Sequence, residues 1–118
     1  MRDAETNIVA VKSFAFAVRC VKLRKYLTNE KNEYEMSKQL LRCGTSIGAN
    51  VREATRAHSK ADFIAKMQIA LKEAGETEYW IELLQETGYI TEKVGESMLA
   101  DCRELLKMIS AIIRTAKE

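Results

Sequence analysis

Four cations fall at helical spacing in the second quarter of the chain: Lys38, Arg42, Arg52 and Arg56. On a wheel turning about 100° per residue they lie within about 40° of one direction, with Thr45 and Ala49 between them. Met36, Leu40, Cys43, Ile47, Val51 and Ala54 gather on the opposite side. A row of guanidinium and ammonium groups spaced by helix turns suits the phosphates of a nucleic-acid backbone. It suits equally a solvated face whose cations pair with acids of a neighbouring helix, such as Glu73 or Glu76. Glu35 and Glu53 flank the row without interrupting it. The stretch VKLRKY at 21–26 adds Lys22, Arg24 and Lys25 and turns the balance toward an anionic partner.

Catalytic chemistry is harder to assemble. His58 is the single histidine, and it falls at a junction between two helical segments. No glutamate precedes it by three residues, so the Glu-x-x-His pair of a di-metal bundle is missing. Cys20, Cys43 and Cys102 make an odd count without metal-type spacing. Each sits on an apolar face and reads as a small core residue with a reduced thiol. Glu78, Glu82 and Glu86 form an i, i+4 ladder, the pattern of a solvated helix face. Gly44 and Gly48 belong to no phosphate-binding glycine pattern. They flank the apolar face of the helix that carries the cations. A glycine there costs about 0.5–1 kcal/mol relative to alanine, which predicts that another helix comes close. No enzyme, cofactor or bound metal is expected.

The elements that must position these residues are helical. Apolar residues recur at three- and four-residue steps almost throughout, no stretch alternates for long as a half-buried strand does, and proline is absent. Helices are predicted at 5–28, 33–57, 60–87 and 92–116. Ser59 and Thr91 are suited to cap the third and fourth, and Gly88 suits the position just past the end of the third. Four long helices with short turns imply an all-α, antiparallel up-and-down four-helix bundle forming one domain over residues 1–118.

The fourth helix is one-sided, with Val94, Met98, Cys102, Leu105, Ile109, Ile112 and Ile113 in one stripe. The first is apolar on two sides. Ile8, Val11, Phe14, Val18 and Val21 line one, and Val9, Phe16, Cys20, Leu23 and Leu27 line the other. The third carries Ile69, Trp80 and Leu83 off its main stripe of Phe63, Met67, Ala70, Ala74, Ile81 and Leu84. A bundle core covers one face of each helix, so a second apolar face predicts contact with another copy of the chain. Val9, Phe16, Leu23, Leu27, Ile69, Trp80 and Leu83 are the residues expected at that contact.

Charge is divided between the halves. Residues 1–60 hold 12 Lys/Arg against 6 Asp/Glu, and residues 61–118 hold 7 against 11, giving +6 and −4. That asymmetry suits an anionic partner or electrostatic self-association. The charged N-terminus MRDAETN is no secretory signal, and no apolar run is long enough to span a bilayer. A cytoplasmic protein without membrane contact is expected.

The stretches TSIGANVREA (45–54), SKADFI (59–64) and GETEYWIELLQETGYI (75–90) resemble bacterial four-helix-bundle proteins encoded in intervening sequences of large-subunit ribosomal RNA genes. Relatives of that family include the accessory variability determinant of diversity-generating retroelements. The resemblance covers about half the chain and departs at 52–54, Arg-Glu-Ala where many relatives have Ala-Glu-Gly. It implies a homopentameric ring of up-and-down bundles without catalytic activity. In the retroelement branch it implies RNA or DNA and a reverse transcriptase as partners; in the intervening-sequence branch it implies a scaffold of no settled function.

Overall fold

The computed structural model describes residues 4–118, so the first three residues of the charged N-terminus lie outside the described residues. Four helices form: α1 (Ala4–Lys31), α2 (Glu35–Thr55), α3 (Lys60–Glu86) and α4 (Glu92–Lys117). No strand occurs among the described residues. At about 1.5 Å per residue the helices run about 32–42 Å, against a longest dimension of 44 Å. The short turns between them cannot cross that length, so successive helices run antiparallel. Each helix packs on the next and α4 closes against α1, and among the described residues no backbones approach closely across either diagonal. The α1–α4 seam is the most lightly packed of the four. The start of α1, the α2–α3 turn and the end of α4 meet at one end, where Thr6, Phe63 and Ile112 line a common hollow.

The helix ends are set by local chemistry. The Ser59 hydroxyl accepts from the Asp62 amide at 3.0 Å, and the Thr91 hydroxyl accepts from the Val94 amide at 3.2 Å. Each satisfies an amide that its helix leaves unpaired. Gly88 takes φ +81°, and the Gly88 and Tyr89 amides donate to the Gln85 and Leu84 carbonyls, the Schellman arrangement. The start of α2 departs from the predicted boundary at 33. Glu33 is 7% exposed and stands outside the helix as its cap. Its carboxylate accepts from the amides of Glu35, Met36 and Ser37 at 3.1, 2.9 and 2.8 Å, where the helix dipole also favours an anion.

Phe16, Leu27, Leu40, Ile47, Met67, Ile81, Leu84, Leu105 and Ile109 fill the core. The two faces of α1 are assigned the opposite way from expectation. Val9, Phe16, Leu23 and Leu27, expected at a contact between copies, are buried in the chain's own core at 0, 2, 8 and 0% exposure. Ile8, Val11, Phe14, Val18 and Val21 face outward. Both sides are apolar, so periodicity cannot choose between them; the smaller and charged residues do. Ser13 and Cys20 lie on the inward side and fit the glycines of α2: a Cβ on Gly48 would sit 3.3 Å from the Ser13 carbonyl, and one on Gly44 would collide with the Cys20 sulfur. Lys22 and Lys25 interrupt the outward side, and burying them unpaired would be costly. On α3, Ile69 is 41% exposed, while Trp80 and Leu83 are half-buried. Val94, assigned to the α4 stripe, stays 39% exposed, and Leu99 joins the core instead.

Candidate nucleic-acid interface

Polar side chains cross three of the four seams as ion pairs. Lys12 meets Glu104 at 3.1 Å and Arg19 meets Asp101 at 2.6 Å between α1 and α4. Arg103 meets Glu78 at 2.7 Å and Glu82 at 3.5 Å between α4 and α3. Arg42 meets Glu73 at 3.3 Å and Glu76 at 3.1 Å between α2 and α3. Among the described residues no ion pair crosses the α1–α2 seam, where Gly44 and Gly48 bring the backbones together instead.

This divides the row of cations on α2. Arg42 leans toward α3 and lies between two carboxylates, in a solvated and paired arrangement. Desolvation works against its charge, but Glu73 and Glu76 outweigh that and hold the guanidinium above its ordinary pKa. One cation between two acids leaves a local charge of −1, which repels a phosphate. Arg52 leans the other way and sits 5.7 Å from the centroid of the Phe14 ring on α1, within cation–π range. Lys38 and Arg56 are exposed. Lys38, Arg52 and Arg56 make no ion pair among the described residues. Lys22, Lys25 and the half-buried Arg24 continue the cations onto α1. The structure thus brings Arg24, Lys25, Arg52 and Arg56 to the α1–α2 seam and pairs Arg42 with α3 instead, while Lys22 and Lys38 are exposed without lining the hollows of that seam.

A groove of about 700 Å³ follows the α1–α2 seam. Ala10, Ala17, Gly48 and Ala49 leave it open; Phe14 walls one side, and Arg52, Glu53 and Arg56 rim the other. A smaller hollow of about 280 Å³ lies farther along between Val21, Arg24, Lys25, Thr28 and Leu41. Phe14 was not singled out from the sequence. A signal for it existed, because Arg52 lies on the glycine side of α2, the side that meets α1.

The remaining chemical candidates scatter. His58 is exposed at the α2–α3 turn, beside Ser59, Lys60 and Phe63. Cys20, Cys43 and Cys102 are free and buried. Burial, with the neighbouring thiols Cys43 and Cys102, pushes the Cys20 thiol up to about 12. Burial, with the Glu78 carboxylate, pushes Cys102 up to about 12 as well. Such thiols stay protonated and unreactive near neutral pH. Among the described residues no group of His, Cys, Asp and Glu is placed to hold a metal ion. No helix among them is long and apolar enough to cross a membrane.

Fold and surface together define an all-α protein of four packed helices with a cationic α1–α2 side. The chain belongs to the 23S rRNA-intervening sequence protein family, whose model matches residues 5–111. It is similar to the crystal structure of a protein of unknown function from the S23 ribosomal protein family of Bacteroides thetaiotaomicron. The two are 57% identical, the match covers 93% of this chain and 98% of that one, and the TM-score is 0.92. No curated protein matches the chain.

Proposed function

We propose that this chain is a non-catalytic, self-associating bundle that binds RNA or DNA through the α1–α2 side. One observation carries the reading: four cations, Arg24, Lys25, Arg52 and Arg56, line the one seam that no ion pair crosses among the described residues. Cations not already engaged by carboxylates are the ones that release counterions from a phosphate backbone. Arg42, by contrast, stands outside this group.

Interactions with phosphate position a backbone and read no sequence, so binding is weakly selective and falls with salt. Mobility-shift titrations over a range of salt test this. Arg52→Gln with Arg56→Gln flattens the log–log salt slope by about 0.7–0.9 for each phosphate no longer neutralised, and Arg42→Gln leaves it unchanged. Unretarded RNA and DNA at low salt would refute the reading.

A second reading rests on the outward apolar face of α1, where Val11 is 70% and Phe14 57% exposed. Contiguous apolar surface marks protein contact, which favours a scaffold. Self-association, as a pentamer in the form the family resemblance implies, would cover part of that face. The narrower version of the nucleic-acid reading, an accessory to a reverse transcriptase in a retroelement, is tested by co-purification with such an enzyme.

A further inference from the structure

We propose that the α1–α2 groove takes an unpaired strand, with one base stacked on Phe14 and adjacent phosphates held by Arg52 and Arg56. This rests on the nucleic-acid reading and narrows it from any duplex or strand to a single strand. Phe14 is 57% exposed, a large apolar ring held at the water boundary with the Arg52 guanidinium over one face, 5.7 Å from its centroid, so a base stacks on the other face. Proteins that bind single strands combine those two parts, an aromatic face for a base and cations along the backbone.

The groove's shape makes the same choice. Ala10, Ala17, Gly48 and Ala49 contribute almost no side chain, so a space of about 700 Å³ stays open beside the ring. A planar base fits beside it. Helix axes packed through glycines stand about 8 Å apart, which is too narrow a cleft for a duplex to enter. The bases of a duplex are in any case already stacked on one another and unavailable to Phe14. Thr45 and Asn7 line the same groove; the Thr45 hydroxyl donates to the Leu41 carbonyl at 2.7 Å, so its oxygen serves a base edge as an acceptor. Glu53 on the rim subtracts one charge from the Arg52–Arg56 pair, leaving +1. Stacking therefore carries a larger share of affinity here than phosphate contact does. The hollow at Arg24 and Lys25 continues the path, about 16 Å along α1 from Phe14 at about 1.5 Å per residue.

Phe14 and Val21 line the α2 side of α1. Ile8, Val11 and Val18 lie farther round the outward arc. The groove stays open where a second copy seats on the latter three alone.

Fluorescence anisotropy with a labelled oligouridylate and with the matching adenylate–uridylate duplex tests the proposal. The single strand binds about tenfold tighter than the duplex. Phe14→Leu weakens single-strand binding about tenfold, leaves duplex binding and the salt slope unchanged, and Phe14→Trp restores affinity. Phe14→Leu with wild-type affinity for the single strand overturns the proposal, as does equal binding of the two forms by the wild type. A changed solution mass of Phe14→Leu with unchanged binding also overturns it, because the ring then belongs to a contact between copies. If the wild type binds neither form at low salt, the broader nucleic-acid reading fails, and the groove assignment with it.

Discussion

Gly44→Ala sets two large effects against each other. In a helix interior alanine is favoured over glycine by about 1 kcal/mol, so local propensity alone predicts a more stable protein. The structure predicts the reverse. A Cβ at Gly44 would run into the Cys20 sulfur, and it would lie 3.2 Å from the Cys20 Cβ and 3.8 Å from the Thr77 methyl. Cys20 and Thr77 are both fully buried, so the obstruction is not the free end of a flexible chain. Overpacking at such a site costs about 1–3 kcal/mol, and because the sulfur itself is struck the upper part of that range applies. The net is a loss of about 1–2 kcal/mol. For a chain of 118 residues unfolding entropy is about 0.25 kcal/mol/K, so Tm falls by about 4–8 °C. The assay is thermal unfolding by circular dichroism at one fixed protein concentration, because self-association would make Tm concentration-dependent. Cys20→Ala removes the struck atom. It costs about 1 kcal/mol alone through poorer packing, and in the double variant Gly44→Ala with Cys20→Ala the destabilisation is less than the two singles sum to. A Gly44→Ala protein that melts higher than wild type would refute the close approach of α1 and α2. Strictly additive effects would show that Cys20 is not what the new methyl meets.

Glu33→Ala removes the acceptor of three α2 amides and lowers stability by about 1–2 kcal/mol, read from urea unfolding; an unchanged midpoint would count against the cap. The raised thiols make stability fall at alkaline pH. Folded Cys20 and Cys102 titrate at about 12 against an ordinary 9.0, so the unfolded chain releases protons first, stability is unaffected below pH 9, and it declines from there toward pH 12 by about 1.4 kcal/mol per pH unit per thiol. Cys20→Ala with Cys102→Ala flattens that decline in melts run from pH 8 to pH 11. A thiol reagent at pH 8 likewise labels the native protein orders of magnitude more slowly than the unfolded one. Val9→Glu, in the core, prevents folding, whereas Val11→Glu, on the outward face, leaves the fold intact by circular dichroism and lowers the mass found by light scattering.

Legibility in the sequence followed how one-sided each helix is. For α2 and α4, apolar residues occupy one arc and charged residues the other, so their inward faces could be read from spacing except at the start of α4, where Val94 stays exposed and Leu99 is buried, and Ser59, Gly88 and Thr91 marked the boundaries. The glycines of α2 also pointed correctly to a close approach. α1 was ambiguous because two apolar arcs satisfy the same period. The deciding facts, a small residue opposite each glycine and lysines within the outward arc, belong to pairs of helices and not to one. Arg42 and Arg52 looked equivalent on a single wheel, yet one leans toward the acids of α3 and the other toward the aromatic ring of α1. Glu33 was absorbed into the predicted α2 because a glutamate supports a helix interior as readily as it caps one.

Because the start of α1 and the end of α4 share one end of the bundle beside the α2–α3 turn, chain order and spatial order are separable. A short glycine–serine bridge from the end of α4 to Ala4, with a new opening in the 56–59 turn, keeps every helix neighbour in place. Such a circular permutant makes the seam between the chain's two terminal helices, α1 on α4, into a local hairpin. Its folding rate relative to the parent would then measure how much of the folding barrier comes from bringing those two distant helices together.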